Sequence, residues 1–148
     1  MIHKDLVEIS RCWLKGIGCS VIITEQSSVF VMEKADAIGW YSSTSILVEC
    51  KTSLSDFKND QYKIARQTPE LALGNWRVYL CENNVIPKKL IPKGWGLVYY
   101  CSDTSKFKRI IGLPNANQWY LSPFESNLDS EKALLLAYIR KSKRLELE

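Results

Sequence analysis

The stretch Ile46–Phe57, "ILVECKTSLSDF", decides how this chain is read. Ile46, Leu47 and Val48 have the character of a buried strand. Glu49 and Lys51 then follow with only Cys50 between them, where more core is expected. Side chains alternate along a strand, so Glu49 and Lys51 share one face and Cys50 points to the other. A buried charge without a partner is costly, and two readings follow. Either the strand leaves the core at Val48 and both charges are surface groups, or Glu49 is a metal ligand and Lys51 positions or activates a nucleophile.

The flanking sequence supplies the frame. After Lys51, Leu54, Phe57, Tyr62, Ile64 and Ala65 stand among polar residues, with Ser53 as N-cap, which predicts a helix over 53–66. Pro69 ends or bends it. Upstream, "CSVIIT" (19–24), "VFVMEKADAIGW" (29–40) and "SILVECK" (45–51) read as three strands joined by the turn-rich "EQSS" and "YSSTS", a meander. Before them, residues 5–15 carry Leu6, Val7, Ile9, Trp13 and Leu14 at helical spacing, stopped by "GIG". Downstream, "WRVYLCE" (76–82) is a strand, "NNVIPKKLIPKG" (83–94) a loop, "WGLVYYCS" (95–102) a strand and "KFKRIIGL" (106–113) its hairpin partner. A last helix is expected over about residues 127–143. The order α-β-β-β-α-β with further strands predicts an α/β fold, a mixed sheet flanked by helices. No repeat or linker divides the chain, so residues 1–148 form a single domain.

Composition narrows the function classes. Apolar residues make up 46% and charged residues 24%, the balance of a folded globular chain. No apolar run has the length of a membrane span, and "MIHKDLVEIS" lacks a signal-peptide core, so the cytoplasm is the expected compartment. Five cysteines at wide spacing, with no C-x-x-C, argue against a disulfide framework or a zinc site. The single histidine, His3, lies where the chain is expected to fray, which argues against a His-based triad or a His-rich metal cluster. Ser53 and Ser55 then have no base to activate them and read as cap and turn residues. The net charge of +4 is mild, yet it is clustered: Lys58, Lys63 and Arg66; Lys88, Lys89 and Lys93; Lys106, Lys108 and Arg109; Arg140, Lys141, Lys143 and Arg144. Such clusters read as solvated faces or as contacts to phosphate. Trp76 and Trp95, inside or beside strands, read as core.

Chemistry enters through Asp36, thirteen residues before Glu49. Adjacent antiparallel strands joined by a short turn can set Asp36 and Glu49 side by side. Two carboxylates and the backbone carbonyl of Cys50 would make an oxygen-rich site suited to Mg²⁺ or Mn²⁺. On the helix that follows, Lys58, Gln61, Lys63 and Arg66 are candidates for contact with a nucleic-acid backbone.

The spacing D-x12-E-x-K on a β-hairpin followed by a helix resembles the PD-(D/E)xK, restriction-endonuclease-like nuclease superfamily. The phrases "DAIGW", "ECKTSLSDF" and "PKGWGLVYY" resemble, more closely, MmcB-type DNA-repair nucleases of bacteria and phage, from about residue 5 to residue 101. The resemblance implies a restriction-endonuclease-like mixed sheet and a Mg²⁺- or Mn²⁺-dependent deoxyribonuclease hydrolysing phosphodiester bonds in repair or recombination. It implies Asp36 and Glu49 as metal ligands, Lys51 as the catalytic lysine, and Glu8 on the first helix as an auxiliary acid, with Glu25 as a second candidate for that role. Ala35 stands where the motif has proline. DNA is the implied partner, with a helicase or repair protein and a homodimer as open options and no membrane. The competing expectation is a nuclease-fold DNA-binding module, or a subunit of a repair complex, without turnover.

Overall fold

In the computed structural model, which describes residues 1–25 and 34–147, the strand that carries Glu49 lies at the middle of the sheet. Six strands pair in chain order: β1 (Val21–Thr24), β2 (Ala37–Tyr41), β3 (Thr44–Cys50), β4 (Trp76–Glu82), β5 (Gly96–Cys101) and β6 (Lys106–Ile111). β1, β2 and β3 are antiparallel, β3, β4 and β5 are parallel, and β6 returns antiparallel to β5. The expected meander and the α-β-β-β-α-β order are therefore present in an α/β fold with a mixed sheet and flanking helices. Residues 29–33 of the expected second strand lie outside the described residues.

Both sheet faces are covered, which explains the near-continuous apolar run of β3. Ile46, Val48 and Cys50 face α1 (His3–Ile17) and pack with Leu6, Val7, Trp13 and Leu14. Leu47 faces the other side, with Ile38, Trp40, Tyr79 and Leu97, and is covered by Phe57, Leu73 and Leu134. Phe57 belongs to α2 (Leu54–Asp60) and Leu134 to α4 (Leu128–Leu147). Trp76 and Trp95 are core, as expected.

Local chemistry sets the element ends. α1 has Asp5 in its first turn and Lys15 in its last, both favourable to the helix dipole. It stops at Gly18, whose φ of 116° suits glycine. Ser53 caps α2, its hydroxyl accepting the Asp56 amide at 3.1 Å. The helix expected over 53–66 is interrupted: α2 ends at Asp60, a turn follows, and α3 (Ile64–Gln67) begins after it. Two buried polar residues tie the outer segments down. Glu131 of α4 accepts from Trp40 Nε1 at 2.7 Å and Ser45 Oγ at 3.0 Å. Arg77 of β4 donates to the carbonyls of Gly74 at 2.9 Å and Pro69 at 3.0 Å, and lies over the Phe124 ring. Among the described residues no helix is long and apolar enough to cross a membrane.

Gly39 of β2 lies close against Leu14 of α1 and Cys19 of the turn that follows it. A Cβ there would stand 2.9 Å from Cys19 Sγ and 3.3 Å from Leu14 Cδ2. Gly39→Ala is expected to lower the urea midpoint through a loss of about 1–3 kcal/mol. Cys19→Ala in the same chain should restore part of that loss, because the two sites share one contact. An unchanged midpoint in the single variant would show that β2 and α1 have room to separate.

Candidate functional site

The register Ala37↔Val48 brings the start of β2 to the end of β3. Asp36, one residue before β2, turns a carboxylate into the next rung of that ladder. Its Oδ2 accepts the Cys50 amide at 2.8 Å, where a strand carbonyl would otherwise stand. In extended backbone a residue's N–H and C=O point to the same neighbour, so the Cys50 carbonyl is directed to this side as well. The Cys50 side chain points the other way into the α1 layer, with Sγ 3.6 Å from the Leu6 carbonyl. Burial, together with the Asp36 charge, pushes the Cys50 thiol well above its ordinary pKa, which favours the neutral thiol.

The other oxygen of Asp36 faces outward. Oδ1 lies 3.2 Å from His3 Nε2, and His3 Nδ1 lies 3.8 Å from Glu25 Oε1. His3 opens α1 and Glu25 follows β1, where its amide donates to the Asp36 carbonyl at 3.0 Å. The ligand atoms of His3, Glu25 and Asp36 lie within 4.8 Å of one another. His3 is thus placed beside Asp36 and Glu25. Its place near the start of the chain argued for fraying, and the pairing with Asp36 is a tertiary contact that no local pattern announces. Glu8 is exposed and pairs with Arg11 at 3.5 Å; it is not in this group.

Glu49 and Lys51 take the other direction, into a buried ion network. Both are buried, so the reading of them as surface charges is corrected. Arg66 lies 3.4 Å from Glu49 Oε1, and Lys51 Nζ lies 3.0 Å from Asp60 Oδ1. Asp60 also receives Lys63 at 2.9 Å, Arg66 Nε at 2.7 Å and the Tyr79 hydroxyl at 2.5 Å. Three cations thus meet two carboxylates beside Tyr79, whose ring stacks on Trp95 at 4.4 Å, while the Arg66 guanidinium lies 4.7 Å from the Trp95 ring centre. The break between α2 and α3 makes this possible. On one continuous helix Arg66, six positions after Asp60, would stand about 9 Å along the axis and about 120° around it.

The network sets its own titration. Burial alone would raise the Asp60 carboxyl, but the Arg66 charge and hydrogen bonds from Tyr79, Arg66 and Lys63 outweigh it and hold the carboxyl well below the usual carboxylate range. Burial pushes the Tyr79 hydroxyl up, and the Asp60 carboxylate adds to that. Burial alone would lower the Lys63 amine, but the hydrogen bond to Asp60 and the Glu49 charge raise it.

This geometry changes the expected nucleic-acid face. Lys58 is exposed and Lys63 half-exposed, whereas the Arg66 side chain is only 4% exposed. Gln61 Nε2 turns inward to the Tyr79 hydroxyl at 3.0 Å. Asp60 and Tyr79 compete for these two side chains and win, because a buried carboxylate needs cations. Asp60 itself was legible in principle: it stands three residues after Phe57, on the same helix face, and that face is the buried one.

The outward side of Asp36 has two further donor residues beside it, whereas Glu49 is engaged by Arg66. Glu49 would have to exchange Arg66 for the ion. His3, Glu25 and Asp36 offer donors of the right type already gathered.

No protein-family model and no curated protein matches the chain. Among solved structures it is similar to the SPO1766 protein of unknown function from Silicibacter pomeroyi, with a TM-score of 0.66 at 16% identity, covering 99% of this chain and 90% of that one. At that identity the likeness shows the fold alone.

Asp60→Asn removes the carboxylate that Lys51, Lys63 and Arg66 share, and is expected to cost about 3–5 kcal/mol of folding stability at neutral pH. Because the folded-state pKa is depressed, Asp60 stabilises the fold above the ordinary carboxylate pKa of about 4, and that stabilisation is lost as pH falls through the folded value. Urea unfolding of both proteins from pH 7 to pH 2 should show a gap that is full at neutral pH and narrows below about pH 4. A gap independent of pH would mean that the Asp60 charge has no part in it.

Proposed function

We propose that the chain is a cytoplasmic, divalent-metal-dependent deoxyribonuclease that hydrolyses phosphodiester bonds in DNA during repair or recombination. One observation carries this reading: the Cys50 amide holds the Asp36 carboxylate directly against the Glu49–Cys50–Lys51 segment. That contact supports the part of the D-x12-E-x-K reading that brings Asp36 to the end of β3, while the Glu49 carboxylate is turned to Arg66. Free thiols on all five cysteines suit a reducing compartment.

Asp36 would hold the ion, and Glu49 would join it on exchanging Arg66. Bound there, a divalent ion supplies Lewis-acid polarisation of the phosphate and a bound water of lowered pKa. The chain's own residues supply the rest. The Cys50 amide fixes one Asp36 oxygen and so orients the other. Asp60 holds the Lys51 ammonium at the end of β3, as a fixed positive charge for the extra negative charge that develops on phosphate. Lys58, exposed on α2, is the cation of that segment left to meet a DNA backbone, while the half-exposed Lys63 is paired with Asp60.

A second reading rests on a different observation. Glu49 is engaged by Arg66, and Lys51 by Asp60, under α2 and α3. If those contacts persist on DNA, the charges are structural and the protein is a nuclease-fold DNA-binding module or a subunit of a repair complex.

Cleavage of single-stranded, duplex, flapped and four-way DNA with Mg²⁺ or Mn²⁺ separates the two. Wild type should cleave at least one of these only with metal. Lys51→Met keeps the side chain's bulk and should lower the rate by about 10²–10³, the usual effect of losing one preorganised contact to developing charge. Its DNA affinity should change little, being spread over many cations. Equal cleavage by wild type and Lys51→Met would remove Lys51 from the mechanism. Binding without cleavage under every metal would favour the inactive module.

A further inference from the structure

We infer that His3, Glu25 and Asp36 form a binding site for one divalent first-row transition ion, in which the imidazole nitrogen distinguishes the site from an all-oxygen magnesium centre. The three donors come from separate elements: the first turn of α1, the residue after β1 and the residue before β2. Asp36 is the fixed member, because the Cys50 amide anchors Oδ2 at 2.8 Å while Oδ1 faces His3 at 3.2 Å. His3 and Glu25 are the adjustable members, each 42% exposed at its side chain. Two ligands about 2.1 Å from one ion stand up to about 4.2 Å apart. Small rotations of His3 and Glu25 from their present spacing, within 4.8 Å, would therefore close the set.

Charge and donor type select the ion. Two carboxylates balance a dication, and a neutral imidazole adds a ligand preferred by Zn²⁺ and Co²⁺ and accepted by Mn²⁺, whereas Mg²⁺ prefers oxygen and gives up water reluctantly. Three protein ligands leave positions for water, as in an open rather than a closed site. The ion reaches this set without disturbing the ion network, since Glu49 stays with Arg66. A role for this ion in cleavage rests on the nuclease reading; its binding does not.

The chain holds one histidine, so its imidazole resonances report on His3 alone. In the full chain without DNA, one equivalent of Zn²⁺ should shift the ring ¹⁵N signals to saturation. Mn²⁺ should broaden them, and Mg²⁺ at the same concentration should leave them in place. Calorimetric titration should show Zn²⁺ affinity falling by at least about tenfold in His3→Ala, more in Asp36→Ala, and holding in Glu70→Gln, an exposed carboxylate outside the group. Because His3 and Glu25 are exposed, Glu25→Gln provides a second variant with little risk to folding. Imidazole signals unmoved by Zn²⁺ and Mn²⁺ would overturn the site, as would a Zn²⁺ affinity unchanged in His3→Ala. A responding imidazole in a chain that cleaves no DNA leaves the site standing and removes the nuclease reading. A silent imidazole with Asp36-dependent cleavage does the reverse.

Discussion

The Asp60 carboxylate is the constraint around which the inner half of the fold is arranged. It sits at the end of α2 on the face that Phe57 buries, so water cannot solvate it and the chain must. Lys51 comes from the end of β3, Lys63 from the turn after α2, Arg66 from α3 and Tyr79 from β4. One buried group thereby ties two strands to two helices. Arg66, drawn in by Asp60, then reaches Glu49. The burial of the charges at the end of β3 follows from this chain of contacts.

Cys50 marks the border between that interior and the exposed side. Its thiol lies in the α1 layer, its amide holds Asp36, and its neighbours Glu49 and Lys51 point under α2 and α3. The strand end therefore presents two chemically different halves. Outside, a fixed carboxylate meets an imidazole and a second carboxylate. Inside, an acid and a lysine are already neutralised by partners. In the proposed nuclease, the metal-binding carboxylate is partly exposed and Arg66 stands between it and full assembly with Glu49. Opposite charges close a strand that is otherwise core because each half has its own counter-charges.

What could be read from the sequence divides by the range of the interaction. Ser53 as a cap, Gly18 as a stop, the strand at residues 76–82 and the meander of β1, β2 and β3 rest on local pattern and were legible. The approach of Asp36 to the end of β3 was also legible, because it needs only strand pairing and a short turn. The contacts that decide chemistry at the site were not. His3 meets Asp36 across more than thirty residues, and Arg66 meets Glu49 only because the helix breaks after Asp60. Helical spacing across 53–66 placed Gln61 and Arg66 on an outer face that the break abolishes. The rotation of a few side chains into one buried carboxylate has no period and leaves no local signature.

The location of a bound cation bears most directly on whether this strand end is a metal site. Diffraction from crystals soaked in Mn²⁺, with anomalous scattering to identify the ion, reads it without reference to activity. One peak is expected within about 2–2.5 Å of Asp36 Oδ1, with the Cys50 amide still on Oδ2. A Mn²⁺ peak elsewhere on the protein, with Asp36 Oδ1 still against His3, would contradict a metal centre at the end of β3.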